Sequence, residues 1–600
     1  MTRLFARIED GIAALALAVM TVIPLLEIVL RRSVGIGIPG AGPIVQHLVL
    51  WVGFLGAAIA AREGRLLSLA TGSLVPEGWA RRVTTVIAAA IGCAVSTVLA
   101  LAAVEFVQSE RGVGSSFAAG IPTWVAELVL PIGFALIGLR LAWRAGERWP
   151  ARALAATGLV AGWFLGTHPA LLEGRSALPG LALIVLGGAL GAPIFAILGG
   201  AAAVLFMADG ITPAAILIET YSLSVSPTLA AIPLFTLTGF LLAEGKASER
   251  LLRVFRALFG WIPGGTAVVC AVLCSFFTAF TGGSGITILA LGGILFPALV
   301  KDGYRERFSL GLLTASGSLG LLLPPSLPLM LYGVVAQMPI EDLFIGGILP
   351  GILLTTMIAA WGMREGLLSG AGRQSFAAGE AGAALWDAKW ELLMPIVVVG
   401  ALFSGLATSV EAAALTAAYA LFTQAAIHRD LSIRRDLLRV FAECVGLIGG
   451  VLVILGVAVG LTSWLVGAQV PMHLVEFTRA HIESRTMFLL ALNVFLILVG
   501  CLMEIFPAIV VVVPLIVPLG QAYDVHPVHL GIIFIANLEL GYLTPLVGLN
   551  ILLASYRFKR PVLDVARAAL PMAAILGIGV LVITYVPWLT LGILHMLGRS

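Results

Sequence analysis

Long apolar runs recur along this chain, and they constrain its fold more than any other feature of the sequence. Examples are the runs 83–107, 181–207 and 571–591. Each is long enough to cross about 30 Å of hydrocarbon as a helix. Inside hydrocarbon the backbone must satisfy its own hydrogen bonds, which favours helices. The runs do not show the alternating polarity of membrane β-strands, so we expect an all-α protein.

The composition agrees with a membrane protein. Apolar residues make up 60% of the chain and charged residues 11%, whereas a soluble protein of this size needs more surface charge. The net charge of +3 is too small to indicate nucleic-acid binding. Cys270 and Cys274 lie one helical turn apart, but no histidine or carboxylate accompanies them, so packing is favoured over metal binding. We predict an all-α polytopic membrane protein with about 15–16 transmembrane helices.

The chain divides into two unequal parts. Residues 1–150 are predicted to form a four-helix scaffold, residues 151–177 a connecting transmembrane segment near 153–170, and residues 178–600 a larger domain. The predicted spans of the first part are 11–30, 44–61, 83–107 and 122–143. Lys and Arg cluster at both ends of this part and in its second connection, which predicts a cytoplasmic N-terminus. The first span lacks a small-residue cleavage site, so we interpret it as a retained signal anchor.

The larger domain contains an internal repeat. When the chain is shifted by 221 residues, several prolines and glycines coincide without a gap. The coinciding pairs are Pro297 with Pro518, Gly320 with Gly541, and Pro324 with Pro545. We predict two repeats, at about 228–361 and 441–595.

The two repeats carry different charges in equivalent loops. The loop after Pro297 contains Lys301, Arg305 and Arg307, whereas the loop from Pro518 to Leu530 contains no Lys or Arg. The positive-inside rule places the first loop in the cytoplasm and the second outside. An inverted repeat with interrupted helices is typical of secondary transporters, whose binding site lies near the membrane midplane.

Two breaks interrupt the first repeat. Gly282, Gly283 and Ser284 divide the apolar stretch 262–298, which predicts a re-entrant hairpin because glycine permits backbone angles that other residues resist. The second break, Pro324-Pro325-Ser326, lies in the following span. Proline frees carbonyl oxygens, and these with hydroxyls suit a desolvated Na⁺, while the N-termini of half-helices suit a carboxylate.

The second repeat has breaks at the corresponding places. Its hairpin turn is the segment from Gly500 to Glu504, and its span break contains Thr544, Pro545 and Gly548. Asn537 and Asn550 flank this break. Single glycines or serines in membrane helices are commonly packing residues. Four breaks at matched positions instead favour a functional site.

Carboxylates inside apolar spans are a separate clue, because burying a charge is costly. Glu504 lies at the second hairpin turn, where it is either a functional group or a cap. Glu411 follows Thr408 and Ser409 and is interpreted as an ordinary helix cap. Glu539 either lines the site or pairs with another polar group, and the sequence does not separate the two. Three acids of the first part are predicted to pair across the contact with the second part: Glu27, Glu105 and Glu127.

Several motifs together resemble a known family. In the first part the segment 51–58 precedes Arg62-Glu63-Gly64-Arg65. In the larger domain the motifs are Gly191-Ala192-Pro193-Ile194, Ile232-Pro233-Leu234-Phe235 with Gly239, Pro324-Pro325-Ser326, Leu349-Pro350-Gly351, Glu411-Ala412-Ala413, Gly500 to Glu504, and Thr544-Pro545 with Gly548. The chain resembles a tripartite ATP-independent periplasmic (TRAP) transporter with the small and large membrane subunits fused.

The resemblance implies Na⁺-coupled import of a small carboxylate across the bacterial inner membrane by an elevator mechanism. It implies a periplasmic substrate-binding protein as partner and no cofactor besides Na⁺ as coupling ion. The implied substrate- and ion-binding residues are Gly282, Gly283, Ser284, Pro324, Pro325, Ser326, Gly500, Glu504, Asn537, Thr544, Pro545 and Gly548. The implied Na⁺ sites lie among Gly282, Ser284, Ser326 and Thr544. The chain departs from the family pattern at four positions. These are Gly285 in place of a second serine, Leu546 in place of a second proline, the unexpected acid Glu539, and Leu66 where a histidine is common.

Three alternatives remain at this stage. A carboxylate or ion transporter with a related inverted repeat could work without a binding protein. A membrane-embedded enzyme would need a metal cluster or an activated nucleophile; His526 and His529 are the one candidate pair, and we interpret them as part of a solvated polar loop. A channel would need a pore lined by repeated rings, which one pseudo-symmetric chain does not provide.

Overall fold

The computed structural model describes residues 3–68, 78–118, 120–372, 375–403, 407–544 and 548–599. Within these ranges the regular structure is helical, apart from two isolated bridge pairs, as the sequence predicts. The helices of the first third are α1 Arg3–Ser33, α2 Ala41–Glu63, α3 Trp79–Val113, α4 Thr123–Glu127, α5 Val129–Arg144, α6 Trp149–Thr167, α7 Leu178–Ala189, α8 Ile194–Ala208 and α9 Ala214–Ser224.

The helices of the remaining two thirds of the chain follow in order. They are α10 Ala231–Glu244, α11 Ala247–Phe259, α12 Gly265–Thr281, α13 Ser284–Lys301, α14 Glu306–Ser316, α15 Leu327–Val335, α16 Ile340–Ser369, α17 Ala378–Asp387, α18 Lys389–Phe403 and α19 Ser409–Phe422. After a π-helical turn, Thr423–Ile427, come α20 Leu437–Gly467, α21 Val470–His481, α22 Arg485–Leu502, α23 Ile505–Ala522, α24 Pro527–Gly541, α25 Leu549–Phe558, α26 Val562–Tyr585 and α27 Trp588–Met596.

Eleven helical segments in the described ranges are long and apolar enough to cross a membrane. All four spans predicted for the first part are among them. The total is lower than the predicted 15–16, because five further apolar helices have only 10–17 residues. The connecting segment near 153–170 is helical as α6, but it is not one of the eleven.

The chain forms two compact units. The first comprises residues 1–234, 433–471 and 510–512, and the second comprises the remainder. In the first unit α2 packs directly on α20. A Cβ atom at Gly56 would lie 2.1 Å from the carbonyl oxygen of Val445, and one at Gly449 would lie 2.1 Å from the amide nitrogen of Ala57. Glycine therefore lets the two helix backbones touch, a common arrangement in membrane proteins.

Buried charges of the first unit tie α1 to its neighbours. Glu9 accepts hydrogen bonds from Arg140 at 2.6 Å and from Arg62 at 2.8 Å, and Arg140 is 2% exposed. Burying a charge is tolerable when it is paired in this way.

The predicted pairing of acids across the two parts holds for one of three residues. Glu105 accepts a hydrogen bond of 2.8 Å from the hydroxyl of Thr212 in the larger part. For Glu27 the prediction was wrong, because its carboxylate accepts from the amide of Ile38 in the adjacent loop. It was also wrong for Glu127, whose buried carboxylate oxygens have no hydrogen-bond partner among the described residues.

A second buried ion cluster lies in the second unit. The guanidinium of Arg250 on α11 donates hydrogen bonds of 2.6 Å to Glu391 and 2.7 Å to Asp430, and Gln424 accepts another at 2.9 Å. Burial lowers the pKa of Arg250, but the hydrogen bonds and charges of the two carboxylates outweigh this effect and hold that pKa above its ordinary value. The cluster joins α11 to α18 and to the loop after the π-helical turn.

The internal repeat extends to the helices. Helices α12 to α16 correspond in order to α22 to α26, and the first residues of matched helices are 220–222 positions apart. For example, α13 begins at Ser284 and α23 at Ile505, while α14 begins at Glu306 and α24 at Pro527. Both copies therefore place a helix break at the same two points.

Candidate functional site

The first hairpin turns at the two glycines that the sequence singles out. Gly282 ends α12 with a left-handed φ of 65°, Gly283 is extended, and α13 begins at Ser284. A Cβ atom at Gly282 would lie 2.1 Å from the side chain of Leu327, the first residue of α15. The turn of the hairpin therefore lies directly against the second break of the same repeat.

The second break separates α14 from α15. It runs from Gly317 to Ser326 and contains Pro324 and Pro325. The Ser326 hydroxyl accepts a hydrogen bond of 3.4 Å from the amide of Leu329 and donates to the carbonyl oxygen of Leu321. In this structure Ser326 thus caps α15, and its role in Na⁺ binding stays a prediction.

Two threonines hold the first hairpin together, and sequence reasoning missed both. The Thr278 hydroxyl donates to the carbonyl oxygen of Gly317 at 2.9 Å and lies 2.7 Å from the Thr287 hydroxyl. These contacts connect both arms of the hairpin to the start of the break. Hydroxyl residues within one or two turns of Gly282 were the available signal.

The second hairpin has a different turn. Met503 and Glu504 are extended between α22 and α23. The Glu504 carboxylate makes no capping hydrogen bond to α23, so of the two alternatives for this residue the cap finds no support. Instead, the amide of Ile505 donates to the hydroxyl oxygen of Tyr542 at 2.6 Å.

The second hairpin also touches its own break. A Cβ atom at Gly541, the last residue of α24, would lie 2.7 Å from the backbone of Gly500. Beyond Gly541, the Thr544 hydroxyl donates to the Gly541 carbonyl oxygen at 2.7 Å. Pro545 lies outside the described residues. Gly548 precedes α25, and a Cβ there would lie 2.3 Å from the Tyr542 carbonyl oxygen.

Asn537 belongs to a buried amide network. Its side-chain nitrogen donates to the Asn493 side-chain oxygen at 2.6 Å, and the Thr584 hydroxyl donates to the same oxygen at 3.1 Å. The network joins α22, α24 and α26. Asn493 and Thr584 were missed, because nothing in their local sequence indicates that they meet.

Unpaired polar atoms mark both copies of the site. The Ser316 hydroxyl, the Asn537 side-chain oxygen and the Asn550 side-chain oxygen are buried without a hydrogen-bond partner among the described residues. Ser316 and Asn537 occupy equivalent positions of the two repeats, 221 residues apart. Asn550 also donates to the Thr314 carbonyl oxygen at 3.2 Å, which joins α25 of the second copy to α14 of the first. The helix breaks of the two repeats therefore lie close together within the second unit.

Glu411 and Glu539 differ sharply. Glu411 forms a reciprocal capping box with Thr408, which confirms the interpretation of an ordinary cap. Glu539, in contrast, is 1% exposed, and neither of its carboxylate oxygens has a hydrogen-bond partner in the described ranges. The expectation that it pairs with another polar group finds no support there.

The interpretation of His526 and His529 as parts of a solvated loop was wrong for His529. Helix α24 begins at Pro527, so His529 lies inside it, fully buried, 2.9 Å from the Thr590 hydroxyl. His526 precedes the helix and accepts a hydrogen bond of 3.2 Å from the amide of Val528. Among the described residues no group of three or more His, Cys, Asp or Glu side chains could hold a metal ion.

Two protein-family models match the two parts of this chain. The family described as tripartite ATP-independent periplasmic transporter, DctM component, matches residues 181–589, and the DctQ component matches residues 20–151. The chain belongs to the TRAP transporter family. It carries both membrane components in one polypeptide, as a multi-pass permease and not an enzyme. A permease of this family works with a periplasmic substrate-binding protein and a small organic solute.

Curated relatives support the same assignment. The isethionate TRAP transporter permease protein DctMQ of Oleidesulfovibrio alaskensis is 33% identical over 485 residues, which cover 78% of this chain and 74% of that protein. The C4-dicarboxylate TRAP transporter large permease protein DctM of Pseudomonas aeruginosa is 32% identical, over 67% of this chain and 94% of that protein. The ectoine TRAP transporter large permease protein TeaC of Halomonas elongata is 32% identical, over 62% and 88%.

Proposed function

We propose that this TRAP permease imports a small organic anion, a carboxylate, which a periplasmic binding protein delivers, and that Na⁺ drives the import by an elevator mechanism. One observation carries the proposal: each repeat has a hairpin turn packed against a helix break, at Gly282 with Leu327 and at Gly500 with Gly541. Relatives named for isethionate and for C4-dicarboxylates suggest a negatively charged solute.

Oxygen atoms beside the helix breaks that follow α14 and α24 suit Na⁺. Hard cations prefer oxygen ligands, and the unpaired oxygens of Ser316, Asn537 and Asn550 lie on the helices that end or begin at the breaks. The proposed Na⁺ ligands are among Gly282, Ser284, Ser326 and Thr544. We propose that substrate and ions also contact the other residues that the resemblance implies, which are Gly283, Pro324, Pro325, Gly500, Glu504, Asn537, Pro545 and Gly548.

Charge asymmetry supports an inverted arrangement of the repeats in the bacterial inner membrane. Lys301 ends α13, Arg305 lies between α13 and α14, and Arg307 lies in the first turn of α14. The equivalent segment of the second repeat, from Ala522 to Val528, has no Lys or Arg. We therefore place the first loop and the N-terminus in the cytoplasm. Residues 1–150 would then be the small-subunit part, 151–177 the connection, and 178–600 the large-subunit part with repeats at about 228–361 and 441–595.

The elevator mechanism needs a moving body and a fixed one. Both pairs of breaks lie in the second compact unit, whereas α1 to α9 and α20 lie in the first. We assign the transport role to those parts of the repeats that lie in the second unit, and the scaffold role to the first unit, which includes α20. Each net positive charge that moves inward across 100 mV supplies about 2.3 kcal/mol, so a few Na⁺ per anion would concentrate the solute strongly.

Reconstitution tests this proposal. The permease is placed in liposomes with the binding protein encoded beside it, and uptake of a panel of labelled carboxylates is measured with and without an inward Na⁺ gradient. Uptake should require both the binding protein and Na⁺. Ser284→Ala should reduce it, while Ser96→Ala, which removes a buried hydroxyl bonded within α3, should not. Uptake without the binding protein, or without Na⁺, would contradict the proposal.

A further inference from the structure

Glu539 is the feature of the second repeat that the proposed site leaves unexplained. It lies in α24, two residues before Gly541, where the helix meets the second hairpin. Its side chain is 1% exposed and neither carboxylate oxygen accepts a hydrogen bond from any described residue. Its equivalent in the first repeat, Ser318, instead donates to the carbonyl oxygen of Ala315 at 3.2 Å. The unpaired acid is therefore specific to the second copy.

The surroundings of Glu539 connect it to the hairpin. Tyr542, three residues further along, interacts electrostatically with the carboxylates of both Glu539 and Glu504. The hydroxyl of Tyr542 in turn accepts the hydrogen bond from Ile505 at the start of α23. Two acidic groups thus lie within electrostatic reach of one tyrosine, at the point where the hairpin and the helix break meet.

A buried carboxylate at this position needs compensation. An isolated charge inside a protein in a membrane costs several kcal/mol, and an acid there is stabilised by a partner of opposite charge. The described residues offer Glu539 no hydrogen-bond donor. A monovalent cation supplies the missing charge and accepts carboxylate oxygens as ligands.

We propose that the carboxylate of Glu539 is a ligand of a coupling Na⁺ at the helix break that follows α24 in the second repeat, in addition to the Na⁺ ligands proposed above. The inference rests on the proposed function, because it assumes that Na⁺ drives transport. It adds a charged ligand to a set otherwise made of hydroxyls and backbone carbonyls. With Na⁺ bound, the charge of the Glu539 carboxylate is compensated when the transport body moves.

Direct Na⁺ binding tests the inference without any solute. Thermal unfolding of the purified full-length permease is followed in detergent as NaCl replaces choline chloride at constant ionic strength. Na⁺ should stabilise the wild type, and Glu539→Gln should raise the half-saturating Na⁺ concentration at least about tenfold, as loss of a supporting group at a metal site does. Glu127→Gln is the matched control, since Glu127 is also buried without a hydrogen-bond partner among the described residues but belongs to α4 of the first compact unit.

A transport experiment gives an independent readout. In proteoliposomes with the binding protein, the Na⁺-to-solute ratio is obtained from the gradient that just stops net uptake. Glu539→Gln should transport with one Na⁺ fewer per solute, and Glu127→Gln with the wild-type ratio. If Glu539→Gln does not fold, Glu539→Asp keeps the charge on a shorter side chain and should show a weakened Na⁺ affinity with an unchanged ratio.

The outcomes separate the inference from the proposed function. Na⁺-independent uptake by the wild type would refute the proposed function itself. Na⁺-dependent uptake with the same Na⁺ affinity and ratio in Glu539→Gln would refute only the role of Glu539. Uptake driven by a pH gradient in the wild type and lost in Glu539→Gln would show that the carboxyl carries a proton, which would also overturn the Na⁺ assignment.

Discussion

The amide of Ile505, at the start of α23, donates a 2.6 Å hydrogen bond to the hydroxyl oxygen of Tyr542, which follows α24. Together with the close contact of Gly500 and Gly541, this bond joins the hairpin of the second repeat to the helix break of the same repeat. The residue equivalent to Tyr542 in the first repeat is Leu321, which has no side-chain hydroxyl. There the hairpin contacts its break through Gly282 and Leu327 instead. The two copies of the site therefore use different chemistry for the same junction.

Replacing Tyr542 with Phe should destabilise the protein. The change leaves the buried amide of Ile505 without an acceptor, which costs about 1–3 kcal/mol. The free energy of unfolding is measured by titration with SDS in mixed micelles. Tyr332→Phe is the control, because the buried Tyr332 hydroxyl has no partner among the described residues, so its loss should be neutral or stabilising. Equal destabilisation by both changes would contradict the role of the hydrogen bond.

Replacing Gly282 with Ala should impair transport. Gly282 has a φ of 65°, which costs an L-residue about 1–2 kcal/mol, and the added Cβ would lie 2.1 Å from Leu327. The turn must then move away from the second break, and Na⁺-dependent uptake should fall. Gly370→Ala is the control, since Gly370 ends α16 with a similar φ of 66° but no atom lies within 4 Å of a new Cβ there. Similar uptake by both variants would argue against the close packing at Gly282.

The positions of the breaks could be predicted from sequence, whereas the polar contacts around them could not. Glycine and proline act locally, so Gly282, Gly283 and Pro324 mark where helices end. The network of Asn493, Asn537 and Thr584 depends on three helices that are distant in the chain. No local pattern brings such residues together.

The error at His529 had an available local signal. Pro527 occupies the first helical turn of α24, which is a favoured position for proline. Pro527 therefore indicates that the loop ends at His526 and that His529 lies inside the following helix. The unpaired state of Glu539 had no such signal, because it depends on what the neighbouring helices fail to offer.

Replacing Gly449 with Ala should loosen the packing of α2 on α20. The added Cβ would lie 2.1 Å from the Ala57 amide nitrogen and 2.4 Å from the Gly56 Cα, both backbone atoms that cannot move alone. Overpacking of this kind costs about 1–3 kcal/mol. The adjacent Gly450→Ala is a stringent control, because no atom lies within 4 Å of a Cβ there. Unfolding curves of the two variants should differ clearly, and superimposable curves would refute the close contact.

Replacing Arg250 with Ala should strongly destabilise the second unit. Arg250 is 10% exposed in its side chain, and its loss leaves the buried carboxylates of Glu391 and Asp430 without their cation. Breaking a buried ion pair costs about 3–5 kcal/mol. Arg253→Ala, three residues along the same helix, removes a 52% exposed side chain 3.8 Å from Asp387 and should cost no more than about 1 kcal/mol. Comparable losses in the two variants would mean that the cluster contributes little.

Replacing His526 with Asn should remove a pH dependence of stability. Burial, followed by the nearby His595, lowers the pKa of His526, while Asp342 opposes this effect. The neutral imidazole accepts the hydrogen bond from Val528, so its contribution is complete above the unfolded pKa of about 6.5 and is lost as the pH falls through the lower folded value. Asn caps helices well and does not titrate, so the variant should retain the cap, worth about 0.5–2 kcal/mol, at every pH. The free energy of unfolding of the wild type and of His526→Asn is measured at pH 7.5 and at pH 5. An equal loss of stability at pH 5 in the variant would assign the pH dependence to another group.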